Sequence, residues 1–264
     1  MTQVALAQFA PGDDKTANLA VVTRLVEDAV ARGARLVVLP EYTMFTVPAM
    51  DRRFVESAED LDGEFVTGLR ALAKDRDVAV VAGMNERLDG ARISNTLVAA
   101  GPDGSVAALY RKIHLYDAFG FRESDVVQPG EITEPETFEV DGVRFGLQTC
   151  YDLRFPEVTR RLADAGAHAV LLPAEWVPGP LKEYHWSTLV RARAIENTLY
   201  VAAAGQAAPT GSGTSLLVDP MGVVVTSLGE QTGVAVGEVS PDRITEVRAK
   251  NPALELRRFT VVPR

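Results

Sequence analysis

The sequence is short of the residues that would tie it to several large classes of protein. It has one cysteine in 264 residues, so no disulfide can form within the chain, and that fits a reducing compartment. It has only three histidines and no clustered cysteine and histidine at metal-ligand spacing, so neither a metal nor an organic cofactor is expected. No apolar run approaches the roughly 20 residues that a membrane-spanning helix needs, so no membrane partner is expected. The N-terminal run Met1-Thr2-Gln3-Val4-Ala5-Leu6-Ala7-Gln8 lacks the charged start and long apolar stretch of a secretory leader. Basic residues are in deficit, with a net charge of −9, and no basic stripe marks a nucleic-acid surface. A cytoplasmic enzyme acting on small molecules is the expectation that survives.

What is present is ordinary for a soluble globular protein: 47% of residues are hydrophobic and 24% are charged, in a chain long enough to bury a sizeable core. Short apolar runs alternate with helical patterns. Val4–Phe9 reads as a strand, and Ala17–Arg32 as a helix with Leu19, Val22, Leu25, Val26, Ala29 and Val30 on one face. Gly33 suits the end of that helix, and Leu36–Leu39 is the next strand, closed by Pro40. A helix over Glu64–Arg76 and a strand over Val78–Ala82 follow. Asn95–Ala100 and Ser105–Tyr110 then flank the turn residues Gly101-Pro102-Asp103-Gly104, a hairpin signal.

The second half repeats this order. Val143–Thr149 reads as a strand, Glu157–Ala165 as a helix, and Ala169–Leu172 as a strand ended by Pro173. Leu189–Thr198 is helical, Leu199–Ala204 is a strand, and a second hairpin surrounds Asp219-Pro220-Met221-Gly222. The stretch from Gly33 to Pro40 parallels that from Gly166 to Pro173, so the chain reads as two similar αβ halves in a single domain over 1–264. Strands alternating with helices predict an α/β protein, and the hairpins predict mixed sheets. Residues 245–264 read as a C-terminal tail that packs on the body or on a partner subunit.

Cys150 stands where the strand over Val143–Thr149 gives way to polar residues. Backbone N–H groups at such a junction can hold an oxyanion, and a helix N-terminus favours a thiolate. Taken alone, a single cysteine is more readily a buried structural residue. A thiol nucleophile needs a base. His114, His168 and His185 are available, and none of them ends a strand. Glu41 does, directly after Pro40, where α/β sheets place ligands; in a dry pocket it can accept a thiol proton. Lys112, just after the first hairpin, is placed to stabilise a thiolate and then an oxyanion.

Glu41, Lys112 and Cys150 in this order lie in Leu39-Pro40-Glu41, Tyr110-Arg111-Lys112-Ile113-His114-Leu115 and Cys150-Tyr151-Asp152-Leu153-Arg154-Phe155-Pro156-Glu157. These motifs resemble those of the nitrilase superfamily of carbon–nitrogen hydrolases, over nearly the whole chain. The resemblance implies an α-β-β-α sandwich of two pseudo-symmetric halves and a homodimer or higher homo-oligomer. It implies Glu41 as general base and acid, Lys112 as oxyanion holder and Cys150 as nucleophile. Glu123 would orient substrate or hold Lys112, and the Tyr151 N–H would complete the oxyanion site. It points to the amidase branch, whose substrates are short carboxylate-bearing amides such as deaminated glutathione and ω-amides of α-keto acids; nitriles and N-carbamoyl amides are the alternatives. A non-catalytic binding protein on the same fold is the reading from another class. Arg154 is expected to meet a substrate carboxylate, and Tyr42, Phe45, Phe119 and Trp176 to wall the pocket. Ala174-Glu175-Trp176 departs from the small residues common in amidase relatives, which puts Glu175 among the substrate-binding candidates.

Overall fold

Alternation of side chains along short strands builds the centre of the protein. A computed structural model describes residues 1–263; Arg264, the last residue of the expected tail, lies outside them. The first half runs β1 (Thr2–Gln8), α1 (Lys15–Ala31), β2 (Leu36–Val38), α2 (Arg52–Ser57), α3 (Glu64–Asp75), β3 (Ala79–Arg87), β4 (Ile93–Ala100) and β5 (Val106–Arg111). The second runs β6 (Thr137–Val140), β7 (Val143–Leu147), α4 (Pro156–Asp164), β8 (Ala169–Ala174), α5 (Lys182–Asn197), β9 (Tyr200–Gly205), β10 (Leu216–Val218) and β11 (Val224–Ser227). The chain then adds β12 (Gly233–Val239) and α6 (Pro241–Lys250).

Two six-stranded sheets result, ordered β12-β1-β2-β3-β4-β5 and β6-β7-β8-β9-β10-β11. Val4 and Leu6 of β1 point into the space between the sheets, where they meet Phe145, Leu171 and Ala202 of the other sheet. Ala5 and Ala7, one position along, face the helices on the outside, with Val22 and Leu69. On the other sheet Leu171 points inward, whereas Val170 and Leu172 pack with Leu162, Trp186 and Val190 of α4 and α5. The period-two alternation of the strands therefore divides the residues between an inter-sheet core and two sheet–helix cores. Each Leu or Val buried this way contributes about 1.5–3 kcal/mol. The layers are α-β-β-α, as expected.

The duplication is visible in the pairing. β1 pairs antiparallel with β12 and parallel with β2, β2 pairs parallel with β3, and β3 and β4 continue antiparallel. β7 repeats this series with β6, β8, β9, β10 and β11. β2 and β8 are thus equivalent, and their C-terminal ends carry Glu41 and Glu175.

Several sequence expectations are corrected. Pro173 does not end its strand: β8 continues to Ala174, with Pro173 paired to Ala204 of β9. Pairing with β7 stops at Leu171, so the missing proline N–H falls where one side of the strand has no partner. α5 begins at Lys182 rather than Leu189: before Leu189 its only buried residues are Trp186 and the polar Lys182, too few apolar positions to show a helical period. The strands β6 and β12 and the helices α2 and α6 have no counterpart in the sequence reading. The expected tail starts inside α6, whose Ile244 and Val247 are buried; beyond it, Arg257 pairs with Asp164 at 2.6 Å on the body of the same chain. No helix is long and apolar enough to cross a membrane.

Candidate active site

The C-terminal ends of β2 and β8, the exits of β5 and β7, and the loop after β2 meet around one cavity of about 50 Å³. Its lining includes Glu41, Tyr42, Lys112, Tyr116, Glu123, Cys150 and Glu175. Sequence positions more than a hundred residues apart converge here because the two sheets stack with these strand ends on the same side.

Lys112 is 2% exposed and lies between two carboxylates, 2.8 Å from Glu41 Oε1 and 2.8 Å from Glu123 Oε2. Burial alone would drive its proton off; the Glu123 and Glu41 charges overcome that and hold its pKa well above the usual lysine value. Glu123 also accepts from the Tyr42 hydroxyl at 2.7 Å and the Tyr116 N–H at 2.6 Å. Despite its burial, Lys112 and these donors keep it below the ordinary carboxylate range. With its oxygens occupied in this way, Glu123 holds Lys112 in place. Asn95 Nδ2 donates to Glu41 at 2.7 Å and to Glu123 at 3.0 Å, linking the two acids. Gln206 Nε2 donates to the Glu41 carbonyl at 2.9 Å.

Cys150 opens a short 3-10 turn, Cys150–Arg154, with a left-handed φ of 42°. A non-glycine residue held there is strained, and the strain lifts its side chain out of the strand direction into the cavity. Asp152, fully buried, fixes the turn: its carboxylate accepts from the Thr149 N–H at 3.1 Å, the Tyr110 hydroxyl at 2.7 Å and the His114 N–H at 3.1 Å. The thiol is not the lowered one that a helix N-terminus suggests. Burial and the facing Glu41 carboxylate push it well above the usual thiol value, against the pull of Lys112. Cys150 therefore rests as a thiol with a carboxylate at hand to take its proton. The Tyr151 N–H makes no hydrogen bond among the described residues.

The histidines stand apart. His114 Nδ1 lies 2.8 Å from Asp152 Oδ1 with its ring stacked on Phe155, and His168 Nδ1 accepts the Arg144 N–H. His185 lies 3.5 Å from Arg154. Of the candidate substrate-binding residues, Tyr42 and Glu175 line the cavity. Phe45 and Trp176 do not: Phe45 packs with Phe54, and Trp176 packs on Trp186 with its indole N–H given to the Lys182 carbonyl. Phe119 is 66% exposed and lies outside the cavity lining. Arg154 is also set back from the cavity lining, its guanidinium 4.9 Å from the Trp176 ring and 5.7 Å from Phe119. Sequence reasoning missed Asn95, Tyr116, Asp152 and Lys182. Lys182 Nζ donates to the Tyr116 hydroxyl at 2.9 Å and faces the same aromatic rings as Arg154.

Gly83 shows how tightly Glu41 is seated. A Cβ there would stand 2.5 Å from the Tyr42 nitrogen and 2.9 Å from Glu41 Cα, both backbone atoms. Gly83→Ala is expected to cost about 1–3 kcal/mol of stability and, by moving Glu41, to lower kcat/KM about a hundredfold. Urea unfolding and steady-state rates check this; an unchanged rate would show that Glu41 tolerates displacement.

A buried acid, ammonium and thiol at strand ends of an α-β-β-α sandwich define a class, the cysteine-dependent hydrolases of carbon–nitrogen bonds. Residues 3–249 match the carbon–nitrogen hydrolase family, and the chain belongs to that family, within the nitrilase superfamily. It is 40% identical to the deaminated glutathione amidase of Escherichia coli O157:H7, over 97% of each chain. It is 32% identical to omega-amidase NIT2 of Mus musculus, over 97% of this chain and 95% of the relative. Among solved structures, Saccharomyces cerevisiae Nit3 matches with a TM-score of 0.87 at 30% identity, over 98% of this chain and 97% of its own. The chain is an amidase of this superfamily.

Proposed function

We propose that the protein hydrolyses a small, linear, carboxylate-bearing amide to the acid and ammonia through a thioester on Cys150. The observation that carries this reading is the shared cavity of the Cys150 thiol, the Glu41 carboxyl and the Lys112 ammonium.

In this reading Glu41 takes the Cys150 proton as sulfur bonds to the amide carbon. The carbonyl electrons move onto oxygen, which Lys112 Nζ and the Tyr151 N–H hold. The oxyanion collapses, the carbon–nitrogen bond breaks, and Glu41 returns its proton to the departing ammonia. A water then gives a proton to Glu41 and attacks the thioester; the carbon–sulfur bond breaks and the thiolate recovers the proton from Glu41.

The preference for a carboxylate rests on two cations at the mouth. Among the described residues neither Arg154 nor Lys182 has a carboxylate partner, and Arg154 Nε is buried without any hydrogen bond. Lys182 is buried and Arg154 partly so, and cations withdrawn from water call for an anion. The similarity to deaminated glutathione amidase and omega-amidase supports the same choice.

Ammonia release from succinamate, propionamide, propionitrile and N-carbamoyl-β-alanine, together with the intact mass of the protein during turnover, tests the proposal. We expect succinamate to lead the others by about tenfold or more in kcat/KM, with a transient acyl adduct on Cys150. Preference for the nitrile or the carbamoyl compound would redirect the substrate assignment; no adduct and no ammonia from any of the four would sink the reading.

A further inference from the structure

The cavity holds three carboxyl groups, and its one ammonium is bound to only two of them. Lys112 serves Glu41 and Glu123. The third, Glu175, has a single side-chain partner among the described residues: its Oε2 accepts from the Thr46 hydroxyl at 3.3 Å. The residue itself is fixed by its backbone, because its N–H donates to Glu41 Oε2 at 2.7 Å and its carbonyl accepts from Cys150 Sγ at 3.6 Å. The acid that holds the general base and the nucleophile in register therefore presents its own carboxyl to the same space.

The groups facing it come from every element around the cavity. Glu41 and Tyr42 follow β2, Lys112 and Glu123 follow β5, and Cys150 follows β7. An ionised Glu175 would add a third negative charge beside one ammonium that is already committed. Retaining a proton avoids that repulsion, and burial together with the Glu41 charge pushes the carboxyl up to about 8. Near neutral pH the cavity thus contains an O–H donor that the hydrolytic steps do not use.

We propose that Glu175 is a specificity-determining residue: its protonated carboxyl donates a hydrogen bond to an oxygen acceptor on the acyl side of the substrate, and its ionised form turns away acyl groups that carry negative charge. This rests on the amidase reading for its substrate and adds the group that reads the acyl portion. It also explains a large acidic residue where the amidase motif has small ones. A proton-bearing acid near the reacting centre and cations at the mouth suit the same ligand, an anionic acid amide with oxygen substituents.

The single thiol allows a test that needs no turnover. Cys150 is alkylated with iodoacetate and, separately, with iodoacetamide, and the ratio of the two rates is followed from pH 7 to 9. Thiol ionisation cancels in the ratio, leaving the response of the pocket to the charge on the reagent. In the wild type the ratio of iodoacetate to iodoacetamide is expected to fall about tenfold across this range, as Glu175 becomes a third negative charge in the cavity. In Glu175→Gln, which keeps a donor and cannot ionise, it is expected to stay within about twofold of its pH 7 value. Loss of charge on Lys182 at the mouth would lower the ratio in both proteins, so the difference between them isolates Glu175. In the second arm, kcat/KM for succinamate over propionamide at pH 7 is expected to drop at least about tenfold in Glu175→Ala and less than about threefold in Glu175→Gln. A flat wild-type ratio, a fall that persists in Glu175→Gln, or an unchanged preference in Glu175→Ala overturns the proposal. Failure of both amides to release ammonia would instead sink the amidase reading, and the alkylation ratio would still decide the case of Glu175.

Discussion

Cys150→Ala is expected to release ammonia from succinamate at least about 10⁴-fold more slowly than the wild type, and to keep its fold. The reason is local. Of the other candidate bases, His114 and His168 are engaged with Asp152 and Arg144 and His185 lies against Arg154, and the sequence holds no second thiol to substitute. Glu41 and Lys112 would still polarise a bound amide, but no sulfur would stand between Glu41 and the carbonyl carbon to form the acyl intermediate. The backbone adds a second readout. Because Cys150 has a φ of 42°, Cys150→Gly relieves a left-handed strain that Cys150→Ala retains, and it is expected to be the more stable of the two variants by about 1 kcal/mol. Ammonia assays and urea midpoints on both variants measure this. Activity of Cys150→Ala within tenfold of the wild type would remove Cys150 from the chemistry, and a glycine variant less stable than the alanine variant would remove the strain argument.

Lys112→Met is expected to fail in two ways at once. Loss of the oxyanion donor should lower kcat about 10²–10³-fold. Loss of the ammonium between Glu41 and Glu123, both nearly inaccessible to solvent, leaves two buried carboxylates facing each other and should cost about 3–5 kcal/mol of stability. The double variant Lys112→Met with Glu123→Gln should recover part of that stability and none of the rate, which separates the structural task of the lysine from its chemical one. The pH dependence has a definite sign. Glu123 is held below the ordinary carboxylate range in the folded protein, so its pairing stabilises the fold above that range and loses this effect as pH falls through the lowered value. The stability gap between wild type and Lys112→Met should therefore narrow as pH falls below the ordinary glutamate range. Urea unfolding at neutral and acid pH measures it. A gap that widens toward acid would mean that the carboxylates are not the source of the cost.

The parts of the fold that were legible in the sequence are those where one physical signal dominates. β1, β8 and β9 each contain an apolar run of four or more residues, and α1 and α3 bury apolar residues at helical spacing. β6 and β12 escaped because one is only four residues long and the other begins at Gly233 and is interrupted by Gly237. The start of α5 escaped because its first turns bury only Lys182 and Trp186, and a buried lysine breaks the apolar period. In the site, Glu41, Lys112 and Cys150 were legible because each follows a recognisable strand, and the structure brings them together. Asn95 and Asp152 were not, since a polar residue in a strand or a turn gives no local sign of partners 28 to 54 residues away. Trp176 was placed wrongly for a related reason: adjacency to Glu175 along a strand exit sends neighbouring side chains to opposite sides, one to the cavity and one to the core.

The pairing of β1 with β12 bears on how the molecule is made. One neighbour of β1, β2, follows it closely in sequence, but the other, β12, joins Thr2 to Val239 and Gln8 to Gly233. Until β12 has been made, that flank of β1 has its peptide groups open to any passing strand. A contact so distant along the sequence forms late and slowly. The first half, although it repeats the architecture of the second, therefore depends on β12, which follows the whole of that second half, to close its sheet, and the newborn protein passes through a stage in which one border of its core is still unsealed.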